Sequence, residues 1–178
     1  QQLFRDLGVQ QIVSGGQTMN PSTEDILHAA EQVPAMDVYV LPNNKNIVMA
    51  AEQAARLART SGLRRIHVVP TTTIPQGISA MMAYDESAEI KDNVEAMQEA
   101  ASRVQSGSVT FAARDSDYDG HQIKEGELLA LENGKVAFTG TDLGSGTAKV
   151  AQDLMREDSQ FITLLYGAEV KFYSARLQ

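Results

Sequence analysis

The feature that most constrains the fold is an alternation between short apolar strands and helical segments in the first half of the chain. Apolar runs at Val9 to Val13, Val38 to Leu41 and Ile66 to Val69 have the length of strands. The segment between the last two runs has helical spacing, with apolar residues at Ile47, Ala51, Ala54 and Ala58. This β-α-β-α-β order predicts a parallel sheet, because helical crossovers join strands that run in the same direction.

Each predicted strand ends in a loop rich in glycine, amide and hydroxyl groups. The carboxyl ends of parallel strands share one edge of the sheet, and α/β folds place their binding sites there. We therefore expect the three loops to form a candidate binding surface. Its predicted residues are Gly15, Gly16, Gln17, Thr18, Asn20, Ser22, Asn43, Asn44, Lys45, Asn46, Thr71, Thr73 and Gln76.

Two details of these loops favour binding. Pro21 suits the first turn of a helix, and Ser22 with Asp25 predicts a capping box whose helix directs its positive end into the first loop. Lys45 lies beside another helix start, so carboxylates, phosphates or a partner's acidic groups are suitable ligands. The alternative is structural: the asparagines only cap and turn the chain, and Thr71 to Thr73 only suit an extended segment.

The second half has an α+β pattern. A helical stripe from Ile90 to Val104 ends at Gly107, and Asn133-Gly134 predicts a hairpin turn. Short strands are predicted at Val109 to Ala113, Leu128 to Glu132 and Val136 to Thr139, followed by a helix from Thr147 to Met155 and a buried strand from Phe161 to Tyr166. We place the boundary between the halves near Ala83 to Glu89, which gives parts 1–84 and 85–178.

Several apparent chemical motifs are incomplete, so the sequence predicts neither catalytic residues nor a metal site. Asp115 to Gly120 copies the start of a calcium loop, but Gly126 stands where the bidentate acid belongs, which favours a solvated turn. The three histidines lack metal-ligand spacing, and His67 is predicted to be a structural residue within a strand. Gly140, Gly144 and Gly146 predict a loop and a helix cap rather than a phosphate loop.

Amino-acid composition argues against several functional classes of protein. The net charge of -8 and the 6% aromatic content argue against a nucleic-acid surface, which needs clustered basic residues and stacking platforms. The chain has no cysteine, which excludes disulfides and thiolate metal sites and suits a reducing compartment. No apolar run is long enough to span a bilayer. We expect a cytoplasmic protein without a transmembrane segment.

Three segments resemble the C-terminal domain of the bacterial fatty acid kinase A subunit, a family also described as dihydroxyacetone kinase-like or DAK phosphatase. They are Val13 to Ile26, Leu41 to Ile47 and Val69 to Gly77. The similarity continues through Arg114-Asp115, Asp119-Gly120 and Tyr166-Gly167, and so covers nearly the whole chain.

The resemblance implies a DegV-like fold, in which a small Rossmann-like half with a parallel sheet precedes an α+β half with a β-hairpin. It implies a role in lipid metabolism through protein-protein interaction: the domain docks a DegV-type B subunit that holds a fatty acid with its carboxylate accessible. A DhaL-like kinase domain, which this chain lacks, would bind ATP and magnesium and phosphorylate that carboxylate. No cofactor and no catalysis are expected in this chain.

Two alternatives stay open. One is a module that itself binds a fatty acid or another small ligand, and the weaker one is a phosphatase or glycerone-kinase-related enzyme. The family domain continues past the position of Gln178, so the sequence also predicts a truncated second half.

Overall fold

The computed structural model describes residues 1–15, 20–112, 114–118, 121–132 and 135–167. The chain forms two compact units, Gln1–Val104 and Gln105–Gln178. This division differs from the boundary predicted near Ala83 to Glu89. The helix between the two positions belongs to the first unit because it contributes Met97 and Ala101 to a core shared with Val69 and Ala80.

The first unit contains five helices and two strands in its described residues. In chain order they are α1 (Gln2–Asp6), α2 (Thr23–Glu31), β1 (Asp37–Val40), α3 (Lys45–Ser61), β2 (Arg65–Val68), α4 (Ile74–Met82) and α5 (Ile90–Ser102). β1 and β2 pair in parallel, with Asp37 opposite Arg65 and Val40 opposite Val68. The strands predicted at Val38 to Leu41 and Ile66 to Val69 are thus confirmed to within one residue.

The two faces of this strand pair support separate apolar clusters, because successive side chains of a strand point to opposite faces. One cluster joins the strands to α2 and α3, with Val38, Ile66, Ile26, Ala30, Ala51, Ala54 and Ala58 among its buried members. The other joins Tyr39, Leu41 and Val69 to α4 and α5. The strand pair therefore lies between two layers of helices.

The predicted alanine stripe explains how α3 packs. Ala51, Ala54 and Ala58 are its buried residues. The helix begins after the cap residue Asn44 and ends at Gly62, whose φ of 70° is a left-handed conformation that glycine adopts without strain.

Three local predictions for the first unit are wrong. Val9 to Val13 is irregular, because no described strand pairs with it and Val13 remains 38% exposed. Pro21 precedes the cap residue Ser22, so it lies outside the first turn of α2. Gly107 does not end the preceding helix; α5 already ends at Ser102, and Gly107 begins a strand.

The second unit contains five strands and one helix in its described residues. They are β3 (Gly107–Phe111), β4 (Ser116–Tyr118), β5 (His121–Ile123), β6 (Leu128–Glu132), β7 (Lys135–Gly140) and α6 (Leu143–Leu154). An antiparallel sheet has the order β3-β6-β7, and β4 pairs with β5. The predicted hairpin is confirmed, with Glu132 opposite Lys135, although Asn133 and Gly134 themselves lie outside the described residues. Ala113, the predicted end of the first of these strands, also lies outside them.

Two predictions for the second unit are wrong. Gly144 and Gly146 lie inside α6, which begins after the cap residue Asp142. A Cβ at Gly146 would lie 2.9 Å from Cδ2 of Leu128, so the glycine lets α6 approach β6 closely. Phe161 to Tyr166 is irregular and exposed, with Phe161 90% accessible. An apolar run favours burial, but it becomes a strand only where a neighbouring strand pairs with it, and no described strand does so.

No helix among the described residues combines the length and apolar character needed to cross a bilayer.

Candidate functional site

The loops that follow β1 and β2 are joined to each other by side-chain hydrogen bonds. The backbone N–H of Asn43 donates to Oγ1 of Thr71 at 3.1 Å, and the Thr71 hydroxyl donates to Oδ1 of Asn43 at 2.8 Å. Thr71 is fully buried. The structure therefore brings two of the three predicted loops together at the carboxyl ends of the strands. We call Asn43–Asn46 and Thr71–Gln76 the polar rim.

Asn43 also holds the polar rim against the start of α4. Its φ of 54° is left-handed, a conformation that asparagine tolerates better than most residues. A Cβ at Gly77 would lie 2.0 Å from Oδ1 of Asn43, so the amide occupies the space that any larger residue there would need. Asn43 and Thr71 therefore have a structural role in positioning both loops.

Two helices start at the polar rim, and each is capped by a predicted site residue. Oδ1 of Asn44 accepts the N–H of Asn46 at 2.9 Å at the start of α3. Oγ1 of Thr73 accepts the N–H of Gln76 at 3.3 Å at the start of α4. Both helices direct the positive ends of their dipoles toward the polar rim.

Gln76 closes the second loop on itself. Its Oε1 accepts the backbone N–H of Thr72 at 2.7 Å and the Thr72 hydroxyl at 2.9 Å. The loop after β2 is thereby fixed at both ends, through Thr71 to Asn43 and through Thr72 to Gln76.

Lys45, Asn46 and Thr72 are exposed on the polar rim. The rim contains no acid and no histidine, so its charge comes from the Lys45 ammonium and the two helix dipoles. This combination attracts carboxylates and phosphates, whereas it supplies neither a general base nor an activated nucleophile. The polar rim therefore has the chemistry of a surface that suits acidic groups.

The first predicted loop is described only in part, since Gly16, Gln17 and Thr18 lie outside the described residues. Gly15, Asn20 and Ser22 are exposed, and no hydrogen bond between described residues joins them to Asn43 or Thr71. The predicted capping box of α2 is confirmed: Oγ of Ser22 accepts the N–H of Asp25 at 3.1 Å, and Oδ2 of Asp25 accepts the N–H of Ser22 at 2.8 Å. The backbone N–H of Ser22 and its hydroxyl both donate to Oδ2 of Asp25, and these two hydrogen bonds lower the pKa of that carboxyl.

A charged cluster at the amino end of the strand pair is absent from the predicted site residues. Arg65 grips Asp37 through two hydrogen bonds of 2.7 and 2.5 Å, and Nε2 of His67 lies 2.8 Å from Oδ1 of Asp37. The hydrogen bonds from the Arg65 guanidinium, and to a smaller extent the one from His67, hold the pKa of Asp37 well below its usual range. The sequence did not reveal this cluster because it depends on the strand register, which places Asp37 opposite Arg65. His67 is two residues after Arg65 on β2, so its side chain lies on the same face.

His67 is structural, as predicted, and its ring also contacts Tyr39 at 5.6 Å between centroids. Burial raises the pKa of Tyr39.

The described part of the calcium-like motif forms one strand: Ser116–Tyr118 are β4, which pairs with β5. Asp119 and Gly120, where the turn was predicted, lie outside the described part of the chain. Asp115 accepts the backbone N–H of Glu125 at 2.7 Å, so its carboxylate helps close this hairpin. Within the described ranges, no cluster of three or more acidic, histidine or cysteine side chains could hold a metal ion.

Comparison with known proteins identifies a family over almost the whole chain. Residues 1–176 match the family model of C-terminal domains like that of the fatty acid kinase A subunit. The chain is 42% identical over 168 residues to an uncharacterized protein of Staphylococcus epidermidis, which covers 94% of this chain and 30% of that protein. It is 40% identical over 167 residues to protein YloV of Bacillus subtilis, with the same coverages. An uncharacterized protein of Staphylococcus aureus is 39% identical over 170 residues, covering 96% of this chain. The chain thus spans 30% of the length of these relatives.

Proposed function

This chain belongs to the family of C-terminal domains like that of the fatty acid kinase A subunit, and on that premise we propose that it docks a fatty-acid-binding B subunit of the DegV type. A separate domain of the kinase then binds ATP and magnesium and phosphorylates the acyl carboxylate that the docked B subunit presents. In this proposal the chain itself is non-catalytic, and its contribution is to bring the loaded B subunit to the kinase domain.

The observation that carries this proposal is the construction of the polar rim. Its interior hydrogen bonds, above all those between Asn43 and Thr71, hold two loops together, while Lys45, Asn46 and Thr72 stay exposed. A surface that is ordered before binding loses little conformational entropy when a partner docks. The exposed groups donate hydrogen bonds and carry positive charge, so an acidic patch on the B subunit is the complementary surface.

The small share of each relative that this chain covers supports placing docking in this chain and phosphoryl transfer in a separate domain. This chain spans 30% of the relatives that it matches, which leaves a large remainder of those proteins to hold other domains. We assign ATP binding and phosphoryl transfer to such a domain. Phosphoryl transfer needs metal ions and groups that position the nucleophile, and the polar rim supplies none of them.

Titration calorimetry of the purified chain with a fatty-acid-loaded B subunit tests this function. Lys45→Ala is expected to weaken binding about fivefold or more, because it removes the one charged side chain of the polar rim. Lys91→Ala is the matched control, since Lys91 is also exposed but lies on α5 and pairs with Glu95. Its affinity should equal that of the unmodified chain.

Either of two results would refute the docking role: no binding of the loaded B subunit, or equal loss of affinity in both lysine variants. A fatty acid that co-purifies with the chain in the absence of the B subunit would instead support the alternative of a ligand-binding module.

A further inference from the structure

A groove runs along the edge of β2 that faces away from β1. It has a volume of about 420 Å³ and opens to solvent. We call it the β2 groove, and its lining residues are Glu52, Ala55, Arg56, Arg59, Ile66, His67, Val68 and Val94. α3 supplies one wall, Val94 on α5 contributes to the other, and β2 lies between them.

Among the described residues, the backbone of β2 has hydrogen-bonding groups without a partner on the side that faces this groove. Arg65 and Val69 donate their N–H groups to the β1 side, to Met36 O at 2.8 Å and to Val40 O at 3.0 Å. Alternate residues of a strand point their backbone groups to opposite edges, so those of Ile66 and Val68 face the groove. Outside the β1–β2 ladder, no described backbone carbonyl accepts either of these two N–H groups. An edge of this kind is a template for an added strand.

The β2 groove is more positively charged than the chain as a whole. The chain carries a net charge of -8, yet the groove lining contains two arginines and a single acid, Glu52. Arg56 bonds to Oε1 of Gln53, and neither Arg56 nor Arg59 forms an ion pair with a described residue. An incoming segment with carboxylates at alternate positions could therefore pair with both arginines.

From these two observations we propose that the β2 groove binds an extended acidic segment of a partner protein, which adds a strand to the free edge of β2. Acidic side chains on one face of that segment would contact the two arginines on α3, and apolar side chains on its other face would contact Val94 on α5. This surface is separate from the polar rim, so the inference goes beyond the docking role proposed above.

A second copy of this chain is a poorer occupant of the β2 groove than an acidic partner. Two copies paired through their β2 edges would bring Arg56 and Arg59 of one chain toward the same arginines of the other. Like charges placed opposite each other oppose pairing, which is a common protection of edge strands against self-association.

Fluorescence anisotropy with labelled peptides tests the proposal on the complete chain. The probe is a short peptide of alternating valine and glutamate, and the comparison peptide has lysine in place of glutamate. A third peptide repeats the acidic sequence with N-methyl groups on alternate backbone nitrogens, which removes the donors that a strand needs. We expect only the first peptide to bind, and to bind more weakly as salt is added.

The double variant Arg56→Glu/Arg59→Glu should lower the affinity for the acidic peptide about tenfold or more. Arg5→Glu/Arg103→Glu is the matched control, because it makes the same change in charge in the same unit outside the groove lining. Its affinity should not change, and circular dichroism should show both variants folded.

The proposal is overturned if the acidic peptide fails to bind at millimolar concentration, or if both double variants bind it equally. Equal binding of the N-methylated peptide would also overturn it, because binding would then be electrostatic without strand addition. Loss of peptide binding leaves the Lys45 test of the polar rim unaffected, so the two proposals can fail separately.

Discussion

At the scale of single residues, Thr71 shows how a buried hydroxyl can organise a surface. It donates to the side chain of Asn43 and accepts from the backbone of the same residue, so one side chain joins the two loops of the polar rim. Thr71 is fully buried, and water cannot replace these bonds without opening the structure.

We predict that Thr71→Val lowers the free energy of unfolding by about 1–3 kcal/mol, because a side chain of the same shape would leave the Asn43 groups unsatisfied. Thr71→Ser keeps the hydroxyl and should cost about 1 kcal/mol or less, the value of one buried methyl group. Urea denaturation of both variants measures the difference. A valine variant as stable as the serine variant would show that the hydrogen bonds do not matter.

Asp37 gives a prediction about pH. Its folded-state pKa lies below its unfolded value, chiefly because of Arg65, so its stabilising contribution is present above about pH 4 and is lost as the pH falls further. Asp37→Asn should therefore cost about 1–2 kcal/mol at pH 7, and the gap to the unmodified chain should narrow below about pH 4.

Thermal unfolding of Asp37→Asn across this pH range provides the measurement. Asp92→Asn, which changes an exposed carboxylate on α5, is the control and should change stability by less than about 0.5 kcal/mol at pH 7. If the stability difference between Asp37→Asn and the unmodified chain became larger in acid, the lowered pKa assigned to Asp37 would be contradicted.

At the scale of elements, the start of α4 depends on one close approach. Gly77→Ala would place a Cβ 2.0 Å from Oδ1 of Asn43, so we predict a destabilised chain. In an Asn43→Gly background the same change should be neutral or stabilising, because alanine is favoured over glycine in a helix by up to about 1 kcal/mol. A double-mutant cycle measured by urea denaturation should give a coupling energy of about 1 kcal/mol or more. Additive effects would exclude the contact.

Elements with a local cause were predictable from the sequence. The alanine stripe of α3, the capping box of α2 and the β6–β7 hairpin each follow from residues close together in the chain. Val9 to Val13 and Phe161 to Tyr166 have equally apolar sequences, but the structure leaves both irregular. Apolar composition predicts a tendency to be buried, whereas strand formation also requires a neighbour that sequence spacing does not reveal.

The candidate site shows the same division. Parallel strand order predicted that Asn43 and Thr71 would lie at one edge, and the structure joins them directly. The structural alternative also applies to several predicted residues, because Asn44 and Thr73 cap helices and Gln76 bonds to Thr72. Lys45 and Asn46 are the exposed predicted residues of these two loops. The Asp37 cluster was missed because it depends on the register of β1 against β2.

At the scale of the whole molecule, the division after Val104 makes a prediction about fragments. A fragment of residues 1–104 should unfold cooperatively, because it retains both apolar clusters. A fragment of residues 1–84 lacks α5 and with it the fully buried Met97, whose loss alone should cost about 2–5 kcal/mol. Thermal melts followed by circular dichroism compare the two. If both fragments unfolded with equal cooperativity, the boundary near residue 84 would be favoured over the one after Val104.

Amide hydrogen exchange of the chain, alone and in complex with a fatty-acid-loaded B subunit, tests the docking role most directly. We predict slower exchange on binding at Asn43 to Asn46 and Thr71 to Gln76, with little change at Ile66 to Val68 or in α6. Protection that spares both loops of the polar rim would contradict the proposed docking surface.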